Sequence, residues 1–290
     1  MTLSTRAAWL LIAGSLAGVA AVAGKAPALQ PDRFRTAYEA PKNPAHQALY
    51  DELKAARTLE KMREFLAFVR LPRTLTLKLA GCDGDDNAWY DTDELTVTVC
   101  YEYLDAVRKK APKTTTPEGV TPEGAWRGPL YEVFLHETGH ALFDQLHLPI
   151  LGREEDAADQ LAAVLLLHQG RQAARDTVLG VAWMYSRDAK AESVDRKRLA
   201  NVHGLSAQRF YNLLCIAYGA EPALFADLVE KKYLPEGRAE TCEDEYTQVA
   251  FALRTLMGPY VDAARRDKIF AQDRAGGKLR KKVTADTAPR

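Results

Sequence analysis

Six histidines occur in this 290-residue chain. Two of them, His136 and His140, stand four apart within Tyr131-Glu-Val-Phe-Leu-His-Glu-Thr-Gly-His-Ala-Leu-Phe143. On an α-helix that spacing stacks both side chains on one face. Two imidazoles so placed can grip one Zn²⁺ at about 2.0–2.1 Å each. Glu137 sits between them and projects to the neighbouring side, where it can reach water at the ion without ligating the ion. This HExxH pattern puts two ligands and a general base on one rigid turn, which is the chemistry of metal-assisted hydrolysis. The alternative is a helix that carries two histidines by coincidence, so a third ligand and a substrate site are needed from the rest of the chain.

The third ligand is sought just downstream. After a turn at Leu148 to Gly152, Arg153-Glu-Glu-Asp-Ala-Ala-Asp-Gln-Leu161 opens another helix, expected to run to about Gln169. Acids in a first helical turn are favoured by the helix dipole alone, and that accounts for Glu154 and Asp156. Glu155 and Asp159 differ because their four-residue spacing puts them on one face. Glu155 can complete a His₂Glu set with an open position for water, with Glu154 and Asp156 as competitors. Asp159, one turn on, can accept a hydrogen bond from the ring of His136 and so fix its tautomer and orientation. The six residues from Leu148 span about 20 Å when extended, enough for the second helix to double back on the first.

These two helices need a scaffold. The fold class expected is α+β, predominantly α: a small β-sheet with an edge strand, an active-site helix, a glutamate helix and a C-terminal helical part. Apolar residues from Ala45 to Val69 follow a helical period and predict one or two helices. Leu75, Leu77 and Leu79 alternate with Thr and Lys, the pattern of a half-buried strand. Asn87 to Tyr90 and Leu95 to Cys100 read as two more strands, joined as a hairpin by Asp91-Thr-Asp-Glu94. Tyr101 to Lys110 reads as a helix leaving the sheet. Ala111 to Gly128, with Thr-Pro-Glu-Gly at both Thr116 and Thr121, reads as a mobile surface loop. Gly128-Pro129 then opens the motif helix, which is expected to stop near His147. Phe210 to Tyr218, Pro222 to Lys231 and Tyr246 to Met257 are apolar at helical spacing. His46, His147 and His168 read as structural or exposed.

The ends of the chain carry a different message. Met1 to Ala23 has Arg6, an apolar run and small residues at Ala21-Val22-Ala23, so it reads as a cleaved export signal; an uncleaved anchor is the alternative. Residues 24–44 read as a poorly ordered lead-in, 45–270 as one domain and 271–290 as a disordered basic tail. Lys plus Arg equals Asp plus Glu, at 39 each, so no global field favours nucleic acid or an anionic membrane. In an oxidising compartment Cys82, Cys100, Cys215 and Cys242 can pair twice. The local pairs, Cys82 with Cys100 and Cys215 with Cys242, are the expected ones. A Cys₄ zinc site is the alternative, though no CxxC spacing supports it.

HExxH followed by Glu155-x-x-x-Asp159 resembles the gluzincin metallopeptidases, the broad group containing thermolysin and neprilysin. More narrowly, the run from His136 to Gln160 is similar to a bacterial metallopeptidase family whose function is not established, over roughly Leu71 to Leu256. The resemblance implies a zincin-like fold, one Zn²⁺ and a peptide or protein substrate. In the neprilysin group an Asn-Ala pair begins the edge strand that holds the substrate backbone, and Asn87-Ala88 matches it; the alternative is a plain hairpin asparagine. A His and an Arg six residues apart serve there in oxyanion stabilisation and in binding the substrate carbonyl, and His203 and Arg209 match them; the alternative is an exposed loop histidine and a surface arginine. The resulting expectation is a secreted or periplasmic zinc metallopeptidase in which Glu137 and His203 are catalytic. The rivals are a zinc-bound, non-hydrolytic envelope protein that binds peptides or acts as a scaffold, and a helical structural protein with an accidental motif.

Overall fold

The computed structural model describes residues 29–275 apart from Pro31. The proposed export signal and the last residues of the basic tail therefore lie outside the described part. Four strands, β1 (Phe34–Tyr38), β2 (Leu75–Ala80), β3 (Ala88–Asp91) and β4 (Thr96–Cys100), form one mixed sheet in the order β1-β2-β4-β3. β1 and β2 are parallel, as are β2 and β4, whereas β3 returns antiparallel to β4 as a hairpin partner. Leu75, Leu77 and Leu79 are fully buried, as their alternation requires, and all five residues of β4 are buried because both faces of that strand are covered. β3 is left at the edge.

The other elements are helical. α1 (Gln47–Ala55), α2 (Thr58–Leu66) and α3 (Tyr101–Lys110) flank the sheet in sequence. α4 (Pro122–Leu146) and α5 (Glu154–Leu166) carry the motif and the downstream acids. α6 (Arg171–Ala191), α7 (Arg196–Leu199), α8 (Ser206–Ala220), α9 (Pro222–Glu230), α10 (Glu236–Ala239), α11 (Cys242–Met257) and α12 (Ala263–Ala275) complete the helical part. α4 is buried along nearly its whole length, because α5 and α6 pack on it and the sheet backs it. Among the described residues no helix is long and apolar enough to cross a membrane.

Two close approaches decide where α4 sits. A Cβ on Gly180 would fall 1.9 Å from the Gly124 carbonyl oxygen, and one on Gly128 would fall 2.5 Å from that of Thr177. α4 and α6 therefore cross backbone to backbone, which any side chain at these positions would prevent. Gly139, inside the HExxH turn, faces Ala158 at 3.3 Å from its would-be Cβ, so α5 lies directly against the motif.

The structure differs from the sequence expectation in four places. Gly128-Pro129 does not open the motif helix: α4 begins seven residues earlier, with Thr121 as N-cap accepting from the Gly124 N–H at 2.9 Å and Pro122 in the first turn. The second Thr-Pro-Glu-Gly is thus a cap-and-proline start signal rather than loop. Pro129 lies inside the helix, where it has no N–H to give the Ala125 carbonyl. The lead-in before Pro44 contains β1, fixed by its parallel pairing with β2. α6 is a long helix for which no specific expectation existed, and α12 continues to Ala275, into the stretch read as tail.

Both local cysteine pairs are formed as disulfides, Cys82–Cys100 and Cys215–Cys242, and no free cysteine remains. The first ties the start of the 81–87 loop to the end of β4, and the second ties α8 to α11. Such pairing excludes the Cys₄ metal alternative and points to a location outside the reducing cytoplasm.

Candidate metal centre

His136 and His140 share a face of α4, with their rings 4.9 Å apart, and α5 brings Glu155 onto that face from across the Gly139 contact. His136 Nε2, His140 Nε2 and Glu155 Oε2 form a triangle with sides of 3.1, 3.2 and 3.5 Å. Donors that hold an ion tetrahedrally at 2.0–2.1 Å lie about 3.3–3.4 Å from one another, so the triangle has the size of one face of such a site. The outer nitrogens are already committed. His136 Nδ1 lies 2.8 Å from Asp159 Oδ1, and His140 Nδ1 lies 2.7 Å from Glu154 Oε1. A carboxylate at each Nδ1 calls for Nδ1–H, which turns both Nε2 lone pairs inward at each other. Facing lone pairs beside a carboxylate favour a cation between them, so the donor set fits a metal ion.

In the metal-free site the same carboxylates favour a proton on these rings, which a metal ion would have to displace. Burial works against a charged His136, but the hydrogen bonds and negative charge of Asp159 and Glu155 outweigh it and raise its pKa to about 10. His140 is raised in the same way, by Glu155 and Glu154 against its burial. The facing histidines hold the Glu155 carboxyl far below the usual carboxylate range. Glu137 behaves differently: burial pushes its carboxyl up, partly offset by the nearby histidines. Its carboxylate makes no side-chain hydrogen bond among the described residues.

The remaining expected residues line the same cleft, of about 570 Å³. On one wall Asn87 and Ala88 stand at the start of β3. The Cys100 N–H donates to the Asn87 carbonyl at 3.1 Å, so in the antiparallel alternation Asn87 and Trp89 turn their amides to β4. Ala88 and Tyr90 therefore turn their N–H and C=O groups to the open edge. The Asn87 side-chain oxygen accepts the Ala88 N–H at 2.9 Å, and Tyr90 donates its hydroxyl to Asp144 of α4 at 2.7 Å, anchoring the strand to the motif helix.

On the opposite wall His203 places Nε2 2.9 Å from Glu155 Oε2, with its ring stacked over His136. Its loop is held by Arg198, which donates to the carbonyls of His203 and Gly204 at 2.9 and 2.5 Å. Arg209, on α8, is not a surface residue. Its Nε and Nη2 donate to the two Asp159 oxygens at 2.7 and 2.6 Å, and the guanidinium lies 4.5 Å over the Tyr185 ring. Arg209 also lines the cleft.

Three residues take parts that the sequence did not point to. Glu154, read as a dipole residue or competing ligand, contacts the back of His140 instead. Glu132 is a buried carboxylate one turn before His136, and Tyr185 of α6 donates its hydroxyl to it at 2.7 Å. The signal for Glu132 was its four-residue spacing from His136; nothing local marked Tyr185. The other histidines stay outside: His46 is buried near Asp105, His147 caps α4 and His168 binds the Val164 carbonyl. A larger groove of about 940 Å³ between α2, α4, α6 and α12 contains none of the candidate site residues, so chemistry rather than size locates the site.

No curated protein and no solved structure matches this chain. A family model does match, over residues 38–257, which takes in β2, β3 and β4, both motif helices and the His203–Arg209 segment. With most of its length covered and a metal-fitting donor triangle in that span, the chain belongs to the family described as "Putative metallopeptidase".

Proposed function

We propose that this chain is a zinc-dependent peptidase that hydrolyses peptide bonds with Glu137 as general base. The observation that carries the reading is the donor triangle of His136, His140 and Glu155, set one helical position from an unbonded, buried carboxylate and in the same cleft as an open strand edge. When bound to these three residues, Zn²⁺ supplies Lewis acidity, lowering the pKa of water toward about 7 and polarising a carbonyl. Glu137 takes the proton of the attacking water and passes it to the leaving nitrogen; burial, by raising its pKa, suits it to both halves of that transfer. The Ala88 carbonyl and the Tyr90 N–H and carbonyl offer main-chain bonds to an extended peptide, which adds to the edge of β3 as a further strand, while Asn87 Oδ1 holds the Ala88 N–H. His203 lines the cleft with Nε2 resting against Glu155 Oε2, and on turning to a bound substrate its N–H steadies the carbonyl oxygen as negative charge develops there. Arg209 offers Nη1 to a substrate carbonyl while Asp159 holds its other edge.

The substrate is a peptide or protein rather than nucleic acid, since the cleft has an open strand edge and no concentration of basic residues. The two disulfides support a secreted or periplasmic location following removal of residues 1–23. The test is Glu137→Gln. Zinc stoichiometry should stay at that of the wild type while cleavage of a peptide library falls by about 10²–10⁴-fold. Wild-type protein that binds zinc but cleaves no peptide would instead support a non-hydrolytic zinc protein.

A further inference from the structure

We propose that Glu132 and Tyr185 form an outer positioning arm that sets how tightly His136 holds its metal, an inference that rests on the metal site above. The arm is a continuous chain of buried polar groups. Tyr185 donates its hydroxyl to Glu132 Oε1 at 2.7 Å, and Arg209 Nη2 reaches that same oxygen at 3.5 Å. The same Nη2 donates to Asp159 Oδ1 at 2.6 Å, and that oxygen faces His136 Nδ1 at 2.8 Å. Glu132 and Tyr185 are nearly inaccessible, at 5% and 4% exposure.

The surplus of charge is the reason to assign the arm a task. Asp159 alone satisfies Arg209 with a two-bond fork. A second buried carboxylate is not needed to neutralise the guanidinium, and burying it is costly unless it does something else. With Glu132 present, two carboxylates share one guanidinium, so Asp159 keeps more of its charge for the His136 N–H. A more negative acceptor at Nδ1 makes Nε2 a better electron-pair donor to a metal. Tyr185 works in the opposite direction, because its O–H draws charge from Glu132 and weakens that carboxylate's claim on Arg209.

The two residues therefore predict shifts of opposite sign, which a merely structural contact would not give. Zinc dissociation constants are measured by chelator competition on purified full-length variants, with urea unfolding of the metal-free proteins as the folding control. Glu132→Gln, nearly isosteric, is expected to weaken zinc binding about tenfold, at the low end of outer-shell effects. Tyr185→Phe is expected to tighten it by a few-fold. Asp188→Asn removes an acid of the same cleft that is bonded to Lys110 instead, and is expected to leave the constant within about twofold. Unchanged affinity in Glu132→Gln, or weakening by all three variants alike, overturns the arm while leaving peptide hydrolysis intact. Wild-type protein that binds no zinc overturns both the arm and the peptidase reading, whereas zinc binding without hydrolysis overturns the latter alone.

Discussion

On the α4–α5 side of the cleft, His136, Glu137 and His140 ride on a helix buried along almost its entire length, and the two histidine side chains are 5% and 16% exposed. On the opposite side His203 hangs in a loop, its side chain 44% exposed, and reaches Glu155 through a single contact. The first wall is preorganised by backbone: α4 meets α6 at Gly128 and Gly180, and α5 at Gly139, so the ligands cannot drift independently. The second wall is preorganised by side chains, with Arg198 gripping two loop carbonyls and Asp159 gripping Arg209. A site divided in this way keeps its metal geometry rigid and leaves the groups that meet the substrate on the more yielding side, as lids and binding loops commonly are.

The largest effect should come from breaking the rigid wall. Glu155→Ala is expected to lose both metal and hydrolysis, while Glu154→Ala, which removes only the partner of His140 Nδ1, should keep full zinc stoichiometry with affinity weakened about 10–100-fold. Metal analysis of the two variants decides the register; loss of metal from Glu154→Ala alone would shift it by one residue. On the yielding wall, His203→Ala should leave zinc stoichiometry untouched and lower kcat by about 10²–10³-fold. Equal loss of metal there would erase the distinction between the walls.

Smaller effects concern the scaffold. Cys215→Ser with Cys242→Ser frees α8, which carries Arg209, from α11, and should cost about 3 kcal/mol in urea unfolding. The least is expected from Glu102, which steadies the loop before β3. Its carboxylate accepts the N–H groups of Cys82 and Gly84 at 3.0 and 3.4 Å; burial raises its pKa, but these bonds outweigh burial and lower it. The stabilisation is therefore complete above the ordinary glutamate range and fades as pH falls through the lowered folded value. Glu102→Gln should reduce the stability lost between neutral and acid pH, by under about 1 kcal/mol because the group is partly solvated. An unchanged pH dependence of the unfolding midpoint would show that the loop is held by the disulfide alone.

Legibility followed the range of the interactions. The spacing of His136, Glu137 and His140, and of Glu155 with Asp159, is helix geometry, and helix geometry is visible in a window of a few residues. The strands β2 and β4 were likewise legible from their apolar patterning. The start of α4 was misplaced because Gly128-Pro129 and Thr121-Pro122 are both reasonable helix openings, and only the packing of Gly124 against Gly180 makes the earlier turn helical. β1 escaped notice because its hydrogen bonds go to β2, some forty residues away, and a short polar stretch carries no mark of that partner. Glu132 could equally have been a solvated acid on an exposed face, and its burial is decided by Tyr185 on a different helix.

By itself, then, the sequence determined which side chains could share a helix face and which cysteines had near partners, because those depend on local geometry and short chain segments. Resemblance to a peptidase group named Asn87, Ala88, His203 and Arg209 without saying how they meet. Only the tertiary structure decided that they enclose one cleft with Ala88 at an open edge, that the two Nε2 atoms and Glu155 close to 3.1–3.5 Å, and that Arg209 spends one edge on Asp159. The physical reason is that these distances are set by where whole helices pack, and glycine contacts between α4, α5 and α6 fix that packing more finely than any spacing along the chain.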